Sequence, residues 1–251
     1  MRRCSLNMEA VCVALLSGKG GTGKSTSSVL IGGALAARGN RVLLIELDNG
    51  LRSVDIIAGV SRKTVYDLED VLRGRCAPAK AVVQSPLYRG LWIISASYSS
   101  GAIPVERLEL LCRKLRPFFD YILLDTAAGI GEAFRTAVQL ADNSIIVATP
   151  DPVALRDGCI VANDLADRQM PCRLLLNRVN KKHILRDRVI RDLDEAIDIV
   201  GAQLLGVVPD SSTIYMSGLH SRRLPPDSIE MDIYDAIASR IEGERVPLIF
   251  Q

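Results

Sequence analysis

The sequence predicts an α/β fold: a three-layer domain in which a mostly parallel, twisted sheet is flanked by helices. Three observations predict it. Seven short apolar runs are nearly continuous in Val, Ile and Leu, as strands covered on both faces are. Helical patterns separate the runs, which implies right-handed strand–helix–strand crossovers. The first run leads straight into a glycine-rich loop, "SGKGGTGKST" (17–26).

The elements follow in order. "VCVALLS" (11–17) is the first strand. Arg2 and Arg3 precede it in the manner of a signal peptide, but the run feeds directly into the glycine loop and no small-residue cleavage site follows. A helix over 24–38 stops at Gly39. "RVLLIEL" (41–47) and "LWIIS" (91–95) are strands, and a helix over 105–116 stops at Pro117. "YILLD" (121–125), "SIIVAT" (144–149), "CRLLLN" (172–177) and "QLLGVVP" (203–209) are the remaining strands. Helices are expected over 131–141, 153–168, 184–200 and 228–242. The last carries Ile229, Ile233, Ile237 and Ile241 at four-residue spacing, a stripe expected to face the core. No repeat, low-complexity segment or linker interrupts the chain, so a single domain over 1–251 is expected, with its core at about 11–247.

Composition agrees. The chain has 251 residues, 48% hydrophobic but only 4% aromatic, which calls for a substantial, aliphatic core. With 31 basic and 29 acidic residues, overall charge offers no argument for a nucleic acid or an anionic membrane. The six cysteines form no C-x-x-C pair, and only His183 and His220 could join them at a metal, so they read as scattered thiols of a reducing cytoplasm. The longest other apolar stretch, Val29 to Ala37, is far short of the roughly 20 residues that span a bilayer.

Gly18, Gly23, Lys24 and Ser25 match G-x-x-x-x-G-K-[ST] between a strand and a helix, the context that makes this pattern a phosphate loop. Backbone amides over Gly18, Lys19, Gly20, Gly21, Thr22 and Gly23 can curl onto phosphate oxygens, helped by the helix N-terminus. Lys24 is expected at the β- and γ-phosphates, Ser25 on Mg²⁺, and Thr26 on the α-phosphate side. Lys19 is additional. It is either a solvated loop lysine or a lysine that crosses to the phosphates of a second copy, and composition leaves both readings open.

Two acids stand at strand ends, where parallel sheets bind ligands. In "LLIELDNGLRSVD", Asp48 is the candidate for orienting the attacking water; in "YILLDTAAGIGE", Asp125 is the candidate for holding Mg²⁺ through water, and Gly129 for a loop that registers the γ-phosphate. Either aspartate taken alone could equally be a helix cap. Asn177 and Arg178 end a strand; the asparagine amide offers a donor and an acceptor to a purine edge, or serves a turn.

"KGGTGKST" resembles the deviant Walker A motif of the MinD/ParA class of P-loop ATPases, with Lys19 where that class has its signature lysine. The resemblance implies ATP and Mg²⁺ as ligands, a slow ATPase stimulated by partners, and an ATP-sandwiched homodimer in which Lys19 acts across the interface. "GLRSVD", "TVYDLEDVLRG" and "DTAAGIGEA" fall in the MinD order. The stretch "LLIELDNGLRSVD" resembles the MinD switch I, keeping its pattern at Asp48, Gly50, Leu51, Arg52 and Asp55, but Glu46 stands for an aspartate and Ser53 for an asparagine. Glu46 is thus expected among the waters around Mg²⁺. Ala127 stands for the proline of the family's D-S/T-P-A-G. The N-R pair Asn177 and Arg178, with Pro209 and Asp210 after the last strand, resembles the adenine-contacting loops.

The function implied is a spatial switch such as division-site placement, with partners of the MinC and MinE type. The alternatives are a DNA-partitioning ATPase of ParA type, a flagellar-number regulator, and a metabolic or metal-insertion ATPase on the same fold. The basic stretch "NRVNKKHILRDRVIRD" (177–192) reads as a solvated face or as a patch for anionic lipid or DNA. MinD proteins usually continue into a basic amphipathic helix that enters membrane. This chain shows "VPLIFQ" there and no lysine or arginine after Arg245. The expected location is the cytoplasm, with peripheral attachment at the inner face of the cell membrane as the alternative.

Overall fold

The computed structural model describes residues 9–50, 52–99, 103–180 and 190–250. Its centre is an eight-stranded sheet. The strands are β1 (Val11–Leu16), β2 (Val42–Glu46), β3 (Val83–Gln84), β4 (Leu91–Ile94), β5 (Tyr121–Asp125), β6 (Asn143–Ala148), β7 (Cys172–Val179) and β8 (Leu204–Pro209). Their spatial order is β3-β4-β2-β5-β1-β6-β7-β8. Every pairing is parallel except β3 with β4. All seven predicted strands are present with ends within one residue, save that β7 runs two residues past its predicted end. The two-residue edge strand β3 is too short to carry a sequence period.

The helices are α1 (Lys24–Ala37), α2 (Val54–Ile57), α3 (Leu68–Leu72), α4 (Pro78–Ala81), α5 (Val105–Leu115), α6 (Glu132–Leu140), α7 (Pro152–Asp167), α8 (Leu193–Val200), α9 (Ser212–Leu219) and α10 (Ile229–Ile241). A 3₁₀ turn (Arg116–Phe118) follows α5 and holds Pro117, because proline suits the first turn of a new helix better than the end of an old one. The helix expected over 184–200 is described only as α8. Asp192 caps it, accepting from Glu195 N at 2.8 Å; residues 184–189, and with them most of the basic stretch, lie outside the described residues.

Two apolar cores sandwich the sheet, and the strand period divides residues between them. Cys12, Ala14 and Leu16 of β1 join Leu108, Phe134, Leu155 and Val200 of the helices on one face. Val13 and Leu15 join Val29, Ile31 and Leu35 of α1 and Ile233 and Ile237 of α10 on the other. The isoleucine stripe is therefore core. Its close approach to the sheet depends on Gly206, where a Cβ would stand 2.6 Å from Ile237 Cγ1.

Because the central strands are parallel, their carboxyl ends share one edge. That edge gathers the glycine loop after β1, Asp48 after β2, Asp125 of β5, Asp151 after β6, Asn177 near the end of β7 and Asp210 after β8.

Candidate active site

The phosphate loop is built by packing as much as by sequence. A Cβ on Gly18 would lie 2.5 Å from the Asp157 carbonyl oxygen, so only glycine lets the loop rest on α7. Gly23 has φ +87, and its Cβ would lie 2.2 Å from Asn177 Nδ2. That position requires glycine on both counts. Asn177 Nδ2 donates to the Thr22 carbonyl at 2.7 Å. Thr22 is buried, Thr26 is half-buried in the first turn of α1, and Gly20 and Gly21 are exposed.

Lys24 and Asp125 form the buried centre. Lys24 Nζ stands 3.1 Å from Asp125 Oδ1 and also donates to the Thr126 carbonyl. Their side chains are 7% and 0% exposed. Ser25 Oγ donates to Asp125 Oδ2 at 2.7 Å. Ser28, one turn along α1, donates to Asp125 Oδ1 at 2.8 Å. One carboxylate and one hydroxyl, both hard oxygens and already in contact, fit a Mg²⁺ that takes few protein ligands and completes its shell with water and phosphate.

Asp48 is half-buried beside this centre. Burial pushes its carboxyl up; Lys24 opposes the shift and Asp125 adds to it. Gly50, with φ +91, donates its N–H to the Ser97 carbonyl at 2.9 Å. Gly129, φ +83, donates to the Ser17 carbonyl at 2.8 Å, tying the loop after β5 to the start of the phosphate loop.

Glu46 is bonded to backbone amides. Its Oε1 accepts from Ser53 N at 2.7 Å and Val54 N at 2.9 Å, and its Oε2 from Ala96 N at 3.3 Å. Burial raises its carboxyl pKa, the Ser53 and Val54 amides oppose this, and Asp125 adds to it. The side chain anchors the N-terminus of α2. Arg52 is similarly engaged: Nε lies 2.8 Å from Asp55 Oδ2, and the guanidinium sits 4.8 Å from the Tyr98 ring centroid. Leu51 lies outside the described residues.

Lys19 is separate from all of this. It is 44% exposed, and its Nζ lies 3.4 Å from Asp151 Oδ1. Asp151 is in turn held by Thr149 Oγ1 at 2.6 Å and caps α7 through Ala154 N at 3.0 Å. Its carboxyl is lowered overall: burial opposes, and the bonds from Thr149, Ala154 and Lys19 prevail.

The four residues expected at the base converge at the far side. Arg178 has φ +56 in an irregular stretch of β7, where the register shifts between Leu176 and Val179. A bulge of this kind re-aims side chains. Pro209 pairs with Val179, and Asp210 N donates to the Val179 carbonyl at 3.0 Å. Asn177 and Arg178 near the end of β7 thus lie beside Pro209 and Asp210 at the end of β8, and Asn177 joins this edge to the loop.

Ser28, Asp151 and Tyr98 were not singled out in the sequence. Ser28 stands four residues after Lys24, and that helical spacing was the available signal. Asp151 and Tyr98 had none, since their relevance comes from strand order. Cys12 and Cys112 are buried and unpaired; burial pushes the Cys112 thiol up to about 11, in keeping with inert core thiols. Among the described residues no helix is long and apolar enough to cross a membrane.

A glycine loop opening a helix, its lysine and serine on a buried strand-end aspartate, define a P-loop nucleotide-binding ATPase domain. The comparisons place it more narrowly. The model of the CobQ/CobB/MinD/ParA nucleotide binding domain matches residues 13–223. The septum site-determining protein MinD of Bacillus subtilis is 35% identical over 243 residues, covering 94% of this chain and 90% of its own. The MinC:MinD cell division protein complex of Aquifex aeolicus superposes with a TM-score of 0.88 at 30% identity, covering 96% of this chain and 99% of that one. The septum site-determining protein MinD of Pyrococcus horikoshii, complexed with Mg-ADP, shares the fold at a TM-score of 0.83 and 22% identity, covering 93% and 96%. The chain belongs to the CobQ/CobB/MinD/ParA family of nucleotide-binding proteins, and within it is MinD-like.

Proposed function

We propose that this chain is a MinD-like Mg-ATPase that acts as an ATP-dependent dimerising switch in septum-site placement, with a MinC-type protein among its partners. The observation that carries the reading is the division of labour between two lysines. Lys24 is sealed against Asp125, whereas Lys19 is exposed on the same loop and held by one long contact to Asp151. A lysine that served only its own nucleotide would have no reason to stand outside the buried centre.

In this reading Lys24 leaves Asp125 for the β- and γ-phosphates, and the loop amides bind the remaining phosphate oxygens. Mg²⁺, when bound, offsets phosphate charge and is held by the Ser25 hydroxyl and, through water, by Asp125. Asn177, Arg178, Pro209 and Asp210 hold adenine. Two copies close with their nucleotides inward, and Lys19 of each crosses to the other's phosphates, stabilising charge as the γ-phosphoryl leaves. Asp48 orients the attacking water. Gly50, Arg52 and Gly129 change their contacts with the γ-phosphate, so partners read whether ATP or ADP is present.

Size-exclusion chromatography tests the switch. Mg-ATP is expected to give a dimer and Mg-ADP a monomer, and a purified MinC-type protein is expected to co-elute only with the ATP form. Equal behaviour in the two nucleotides contradicts the proposal.

A further inference from the structure

We propose that Ser28 is a positioning residue for the metal-holding carboxylate: its hydroxyl keeps Asp125 Oδ1 in place when Lys24, the other donor to that oxygen, leaves to serve the nucleotide. The inference rests on the Mg-ATPase reading and adds a residue to it.

Three side chains donate to Asp125. Lys24 Nζ and Ser28 Oγ reach Oδ1 at 3.1 and 2.8 Å, and Ser25 Oγ reaches Oδ2 at 2.7 Å. Two of the three belong to the phosphate-loop motif. Its lysine is drawn to phosphate, so the Lys24 contact with Oδ1 is given up when nucleotide binds, whereas the Ser25 hydroxyl meets Mg²⁺ through an oxygen lone pair and keeps its proton for Oδ2. Ser28 has no such second task. It is fully buried on the sheet side of α1, and among the described residues its one other side-chain hydrogen bond goes to the Lys24 carbonyl at 3.0 Å.

A hydroxyl has one proton, so Ser28 cannot donate fully to both acceptors. The carboxylate is charged and nearer, and takes the stronger bond. The Lys24 carbonyl already accepts within the helix. Asp125 is completely buried at the end of β5. When Lys24 leaves, Ser28 is the donor that remains on Oδ1, and it holds that oxygen against turning. Partners that orient metal-holding carboxylates affect metal affinity by roughly 10- to 100-fold.

The test is a Mg²⁺ titration of the full chain with a fluorescent ATP analogue, read by anisotropy and independent of turnover. In Ser28→Ala the Mg²⁺ concentration for half-maximal binding is expected to rise about tenfold. Binding of the analogue in EDTA is expected to match the wild type, which reports an intact loop. Ser28→Cys keeps the size of the side chain but offers only a weak donor, and is expected to shift the midpoint in the same direction. A wild-type midpoint in either variant overturns the proposal, as does an equal loss of affinity with and without Mg²⁺. A wild-type chain whose binding ignores Mg²⁺ would instead overturn the Mg-ATPase reading itself.

Discussion

Lys19 Nζ stands 3.4 Å from Asp151 Oδ1 of its own chain, on the rim of the site. The contact parks the lysine on the residue that caps α7, and under the proposed function dimerisation has to break it. Exposed pairs of this kind contribute about 0–1 kcal/mol. Asp151→Asn keeps a capping side chain but removes the charge. It is expected to lower the ATP concentration for half-maximal dimerisation, by up to about fivefold. Sedimentation velocity across an ATP series checks this, and an unchanged or higher requirement contradicts it.

The crowding at Gly23 predicts a loss of binding rather than of fold. Alanine there carries a left-handed backbone penalty of about 1–2 kcal/mol and drives its Cβ into Asn177 Nδ2. Gly23→Ala is expected to weaken ATP binding by at least about tenfold. Gly206→Ala instead forces Ile237 away from the sheet and should cost about 1–3 kcal/mol of stability, with ATP affinity little changed. Isothermal titration and urea unfolding on both variants separate the two effects.

Asp48 gives a pH dependence with a definite sign. Its folded pKa is raised, chiefly by burial, so the folded chain binds this proton more tightly than the unfolded chain. The ionised form therefore costs stability above the raised pKa, and the cost disappears below the unfolded value of about 3.9. Asp48→Asn should raise the melting temperature of the nucleotide-free chain at pH 7.5 and give no gain near pH 3.5. Under the proposed function the same variant should slow ATP hydrolysis by about 100-fold or more. A melting difference that grows on acidification would contradict the account of the carboxylate.

Glu46 anchors α2 through buried backbone amides. Glu46→Ala leaves those donors unpaired and should cost about 1–3 kcal/mol in urea unfolding. Glu46→Gln keeps an acceptor for Ser53 and Val54 and should cost less. Equal losses would place the effect in the charge and not in the amide bonds.

The fold was legible because parallel strands buried on both faces read as unbroken Val, Ile and Leu, and each of the seven long runs became a strand. The phosphate loop was legible because its chemistry is local in sequence. What sequence could not show was which groups the strand order brings together. Asp151 meets Lys19 because β6 lies beside β1, a neighbour relation that no local pattern records. Glu46 illustrates the converse. Its position in the switch pattern was readable, but the backbone amides of Ser53 and Val54 that its carboxylate accepts from are set by the loop's fold. The short helices α2, α3 and α4, of four or five residues each, hold too few turns for a period and went unread.

Everything distinctive in the proposed switch depends on Lys19 reaching a second copy. Light scattering on wild type and Lys19→Ala, each saturated with Mg-ATP, measures this most directly. The account predicts a dimer for the wild type and a monomer for the variant, with equal ATP affinity in the two. A variant that binds ATP and dimerises as well as the wild type would contradict it.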